Sequence, residues 1–65
     1  MNTKSDFTKA VLAELKTQYD LGLVNAKRYY LATEVAEEQA AANSNMKVYE
    51  CADLMLSLAG LKMDF

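Results

Sequence analysis

The chain has 65 residues, with 7 Lys and Arg against 9 Asp and Glu, one Cys, and no His, Pro or Trp. That length allows one domain, and so short a chain buries only about 60% of its unfolded surface. Lone Cys51 excludes an internal disulfide, and with no His or second Cys a structural zinc site is excluded too, which leaves tight helical packing or self-association to complete the core.

Absence of proline and abundance of Ala, Leu, Glu, Lys and Gln predict helix throughout. The first helix is expected from about Asp6 to Leu21, capped by Thr3 with Asp6 or by Ser5. Phe7, Val11, Leu12, Leu15 and Tyr19 recur at three- and four-residue spacing as one apolar stripe, with Lys9, Lys16, Thr17 and Asp20 opposite. Gly22 supplies the left-handed residue that ends a helix, and Leu23 is expected to fold back onto the last turn.

Asn25 reads as the N-cap of a second helix over Ala26 to Ala42, with Val24 and Tyr29 as a hydrophobic staple. One broad face carries Tyr29, Leu31, Ala32, Val35, Ala36, Ala40 and Ala42; Lys27, Tyr30, Glu34, Glu37 and Glu38 occupy the other. The alanines allow a neighbouring helix to approach closely. Asn43-Ser44-Asn45 then breaks the helix.

A third helix is expected from about Met46 to Gly60. Val48, Tyr49, Cys51, Ala52, Leu54, Met55, Leu56, Leu58 and Ala59 leave Glu50, Asp53 and Ser57 only a narrow polar strip. An ordinary surface helix shows an apolar stripe of roughly 100° or somewhat more. This one therefore either lies between the other two helices or meets another chain. In the second case Val48, Tyr49, Ala52, Met55, Leu56 and Ala59 form a homodimer interface. Residues 61–65 read as a short apolar tail that docks on its own domain or on a partner. The fold expected is all-α, a helical hairpin plus a third helix, completed by homodimerisation.

Catalysis finds little footing. There is no His for general acid–base work, Cys51 sits on an apolar face with nothing to activate it, and both glycines follow predicted helices rather than forming a phosphate loop. The chain is expected not to be an enzyme and to carry no cofactor. Glu34, Glu37 and Glu38 share a helical face but lack the histidine of helical di-metal sites and the calcium-loop pattern. They read as a solvated acidic face or a contact for a basic partner, with no metal expected.

Lys27-Arg28-Tyr29-Tyr30 combines two cations with two aromatic rings, and Glu14 to Leu31 has the outline of a helix-turn-helix. Lys27, Arg28 and Tyr30 are the candidate nucleic-acid contacts. Against them stand the net charge of −2 and the acidic residues that follow directly. No apolar run approaches the roughly 18 residues needed to span a bilayer, no membrane association is expected, and the polar first residues show no secretory signal. One unpaired Cys fits a reducing compartment, so a cytoplasmic location is expected.

Leu12-Ala13-Glu14-Leu15-Lys16, then Tyr19-Asp20-Leu21-Gly22-Leu23-Val24 and the helix from Asn25, resemble the short helical hairpins called SHOCT domains. Those share a Leu-rich helix, an Asp-x-Gly-aliphatic turn and a second helix. The resemblance implies oligomerisation or partner binding.

The function expected is protein–protein interaction: a small regulator, of the kind phages and mobile elements encode, that binds and inhibits a larger protein. Tyr30, Glu34, Glu37, Glu38, Met63 and Phe65 are its candidate contacts. The alternatives are a small dimeric DNA-binding transcriptional regulator and a structural or assembly subunit.

Overall fold

The computed structural model describes residues 3–63, and among them every element is helical. Helix α1 spans Thr3–Asp20, α2 spans Ala26–Gln39, a single 3-10 turn covers Ala40–Asn43, and α3 spans Val48–Met63. The all-helical, three-helix architecture is therefore the one the composition predicts.

Helix α1 starts earlier than expected, so Ser5 lies inside it rather than at its boundary. Its end is set by Gly22, the only described residue with a positive φ, at +80°. The Leu23 amide donates to the Gln18 carbonyl and the Gly22 amide to the Tyr19 carbonyl, both at 3.0 Å. That pair of bonds is the Schellman arrangement, which satisfies carbonyls the helix would otherwise leave open. Leu23 itself does not fold back: it is 70% exposed.

Asn25 caps α2 as its residue type predicts, its Oδ1 accepting the Arg28 amide at 2.8 Å. The far end of α2 differs from expectation. Regular helix stops at Gln39, Asn43 Nδ2 donates back to the Gln39 carbonyl at 2.9 Å, and Ala42 is exposed. An asparagine side chain that bonds nearby backbone competes with continued α-helix, and the chain tightens into 3-10 geometry instead. Met46 donates its amide to the Asn43 carbonyl in the following turn, so α3 begins at Val48 rather than at Met46.

Gly60 does not end α3. The helix continues through Leu61, Lys62 and Met63, so the described part of the expected tail is helical; Asp64 and Phe65 lie outside the described residues. A helical glycine costs about 1 kcal/mol relative to alanine, yet here the missing Cβ makes room for Arg28 (below).

The three helices pack mutually, with α3 against both α1 and α2. The core consists of Val11 and Leu15 of α1, Ala32, Val35 and Ala36 of α2, Ala40, and Cys51, Ala52, Met55, Leu56 and Ala59 of α3. Leu15 and Met55 are its largest fully buried side chains. Between them Ala32, Ala36, Ala40, Ala52 and Ala59 let the backbones come close, so short side chains replace volume with proximity. Position explains the wide apolar face of α3. It covers two neighbours, where the stripe of an ordinary surface helix covers one.

Candidate protein-contact surface

Chain direction brings the 21–24 turn, the first turn of α2 and the last turns of α3 to one end of the bundle. Arg28 fixes this arrangement: its Nε donates to the Leu56 carbonyl at 3.0 Å, and its guanidinium lies against Gly60. At the same end Tyr19 and Tyr29 stack, with ring centroids 4.7 Å apart and planes inclined by 11°. Tyr30 leans on Tyr29 at 5.6 Å and 48°. Below the stack, Lys16 Nζ meets Asp20 Oδ2 at 3.1 Å. The hydrogen bond and then the charge of Asp20 raise the Lys16 ammonium above its ordinary range, so it stays cationic at any physiological pH.

Large apolar side chains are left in solvent here. Leu21 is 69% exposed and Tyr30 66%, joined by Leu23 and by Tyr19, which is partly exposed beside its stacked partner. Leu61, near the end of α3, is exposed as well. Scattered single exposures of this kind are ordinary; here ring contacts join Tyr19, Tyr29 and Tyr30 into one group, and Leu21 and Leu23 lie in the turn that follows Tyr19. For Leu21 and Leu23 the Schellman turn is the cause: it ends α1 abruptly, and the residues on either side of Gly22 are left exposed.

The candidate contacts read from sequence fall into distinct places. Tyr30, Glu34, Glu37 and Glu38 are all exposed along one outer face of α2. Met63 is half-buried at the end of α3, away from Glu37 and Glu38 at the other end of the bundle, and Phe65 lies outside the described residues. Of the residues considered for a homodimer interface, Ala52, Met55, Leu56 and Ala59 are buried within the single chain, where they close the core against α1 and α2. Val48 is half-buried against that core, and Tyr49 remains 54% exposed. Of the nucleic-acid candidates, Lys27 and Tyr30 are exposed, while Arg28 is held by the α3 backbone.

Leu21 and Leu23 were not among the sequence candidates. The signal that would have found them is the glycine cap itself, because a Leu-Gly-Leu turn leaves two leucines with no helix face to join. Among the described residues there is no cavity, no group of three or more His, Cys, Asp or Glu placed to hold a metal, and no helix long and apolar enough to cross a membrane. Cys51 is fully buried, and burial pushes its thiol above the ordinary range, toward the neutral, unreactive form.

Comparison with protein-family models, curated proteins and solved structures returned no match, so the SHOCT-like stretch assigns no family.

Proposed function

We propose that this chain is a protein–protein interaction module, a small regulator that binds a larger protein and holds it inactive. The observation that carries the reading is the group of exposed Tyr19, Leu21, Leu23 and Tyr30 side chains at one end of a bundle whose core is complete without them. Aromatic residues are enriched where interfaces form, and Tyr offers large contact area at low entropic cost. The origin in a phage or mobile element belongs to the same proposal and rests on size alone.

Nucleic-acid binding is the weaker reading. It relies on Lys27 and Tyr30 once the Arg28 guanidinium is committed to the Leu56 carbonyl, and Glu34, Glu37 and Glu38 continue the same helix.

The test is capture on the tagged full chain from a host lysate, with and without nuclease. A stoichiometric protein retained after nuclease supports the reading. An empty capture, or one that vanishes on nuclease treatment, overturns it.

A further inference from the structure

We propose that the outer face of α2 is an antiparallel, two-fold interface between two copies of this chain, with Lys27 of each copy against the partner's Glu34 and Tyr30 near the axis. This goes beyond the protein-binding reading above and does not rest on it, because Tyr19, Leu21 and Leu23 support that reading whether or not Tyr30 is covered.

The charges of α2 stand where the helix alone gains nothing from them. They are Lys27, Arg28, Glu34, Glu37 and Glu38. Both cations lie in the first turn, and Glu37 and Glu38 lie in the last, the reverse of what a helix dipole favours. Glu34 precedes Glu37 and Glu38 by three and four residues, so like charges adjoin on one face and repel. Arg28 is committed to the Leu56 carbonyl. Among the described residues Lys27, Glu34, Glu37 and Glu38 make no ion pair or side-chain hydrogen bond, and all four are exposed.

An antiparallel copy of the same helix offsets this pattern. Lys27 and Glu34 are nearly two full turns apart, so they share one stripe and stand about 10 Å from each other along the axis. A two-fold axis midway, at the level of Tyr30 and Leu31, sets each Lys27 level with the partner's Glu34 and produces the pair twice. The same operation carries Glu37 and Glu38 to the first turn of the opposing helix, where the positive end of its dipole lies. Tyr30, 66% exposed, and half-buried Leu31 supply the apolar contact at the axis, and aromatic residues are favoured at such centres.

Both signs on one stripe select this occupant over others. A parallel copy sets Lys27 against Lys27 and glutamates against glutamates. A basic partner, or a polyanion, matches one half of the stripe and is repelled by the other. Helix α3 does not compete for the role, since its Ala52, Met55, Leu56 and Ala59 are buried in the core of the single chain. One helix from each copy falls short of the roughly 1,600 Å² of a standard interface, so the dimer is weak and reversible, and its exposed charge pairs make it salt-sensitive.

Sedimentation equilibrium of the full chain, from about 10 μM to about 1 mM at low and high salt, tests this. A monomer–dimer equilibrium is expected, shifting toward monomer as salt rises. Lys27→Glu and Glu34→Lys are each expected to weaken self-association by about tenfold or more, because each turns both pairs into repulsions. An equimolar mixture of the two variants is expected to recover the association to within about threefold, since the swapped charges match across the heterodimer. Tyr30→Ala should weaken it by about tenfold. Lys9→Glu, the same change of net charge on an exposed position of α1, should leave it within about threefold. Lys27→Glu suits the helix dipole and Glu34→Lys removes like-charge neighbours, so circular dichroism should show undiminished helicity and unfolding does not account for lost association. A chain that stays monomeric at about 1 mM in low salt overturns the inference. So does a dimer that either charge variant leaves intact, or one that both variants abolish and their mixture does not restore.

Discussion

Arg28 lies across Gly60: a methyl group at position 60 would stand 3.3 Å from Nη2 and 3.6 Å from Cζ of the guanidinium. The same side chain donates from Nε to the Leu56 carbonyl one turn earlier on α3. A residue that looks in sequence like a nucleic-acid contact is thus a strut between the start of α2 and the end of α3. The glycine that looks like a helix stop is the place where that strut rests.

Gly60→Ala tests the balance between propensity and contact. Alanine gains about 1 kcal/mol of helix propensity, and the atom it meets first is the far end of a flexible side chain. A shift of a few tenths of an ångström accommodates it, so a rise in melting temperature of several degrees is expected. Gly60→Leu is too large for that adjustment and should displace the guanidinium. Its loss of stability should then match Arg28→Met, about 1 kcal/mol for one partly buried hydrogen bond. Urea denaturation of the single and double variants measures this directly: if Gly60→Leu is equally costly with and without Arg28, the strut is not what glycine accommodates.

The Tyr19–Tyr29 stack joins the last turn of α1 to the first turn of α2. Offset aromatic pairs contribute about 0.5–1.5 kcal/mol beyond the area they bury. A double-mutant cycle with Tyr19→Ala and Tyr29→Ala should therefore show a coupling of that size. Tyr29→Ala alone should cost more than Tyr19→Ala, because Tyr29 also packs against the core whereas Tyr19 is the more exposed ring. Additive costs would mean that the rings merely lie side by side.

Much of this arrangement is legible in sequence where one local rule acts alone. Asn25 before a helical run is a cap, and it caps; Gly22 after Asp20-Leu21 takes φ of +80° and closes α1. The rule fails where a distant partner decides. Gly60 carries the same local signal as Gly22, but Arg28 lies 32 positions earlier in the chain and only the folded packing brings it there. The apolar breadth of α3 was legible as a fact but not as a cause, since a central helix and an interfacial helix show the same pattern. The exposed leucines were missed because hydrophobicity alone predicts burial, whereas the Leu-Gly-Leu cap is the local signal that Leu21 and Leu23 have no helix face to join.

Leu56 and Met55 both belong to the core in α3. Leu56 is 8% exposed and Met55 fully buried. Met55→Ala should cost about 2–5 kcal/mol, a large share of what a core of this size supplies. Leu56→Asp places a carboxylate in that core without a partner, where an uncompensated charge costs several kcal/mol. The expected outcome is a chain without cooperative melting by circular dichroism. A folded monomer with native helicity would show instead that Leu56 belongs to a surface between copies.

Cys51 offers a readout of opening. Its burial raises the thiol above its ordinary range, so the folded chain holds the thiol proton to higher pH than the unfolded chain. The contribution to stability is complete below the unfolded thiol's value of about 8.5. It is then lost as pH rises through the higher folded value, because there the unfolded state binds fewer protons. Cys51→Ala should therefore flatten the fall in stability between neutral and alkaline pH relative to the unmodified chain. At neutral pH, alkylation of Cys51 by iodoacetamide should proceed only through opening of the fold and should slow with every stabilising variant, Gly60→Ala included. Alkylation as fast as that of a free thiol in the native protein would place Cys51 in contact with solvent and contradict its burial between α3 and its neighbours.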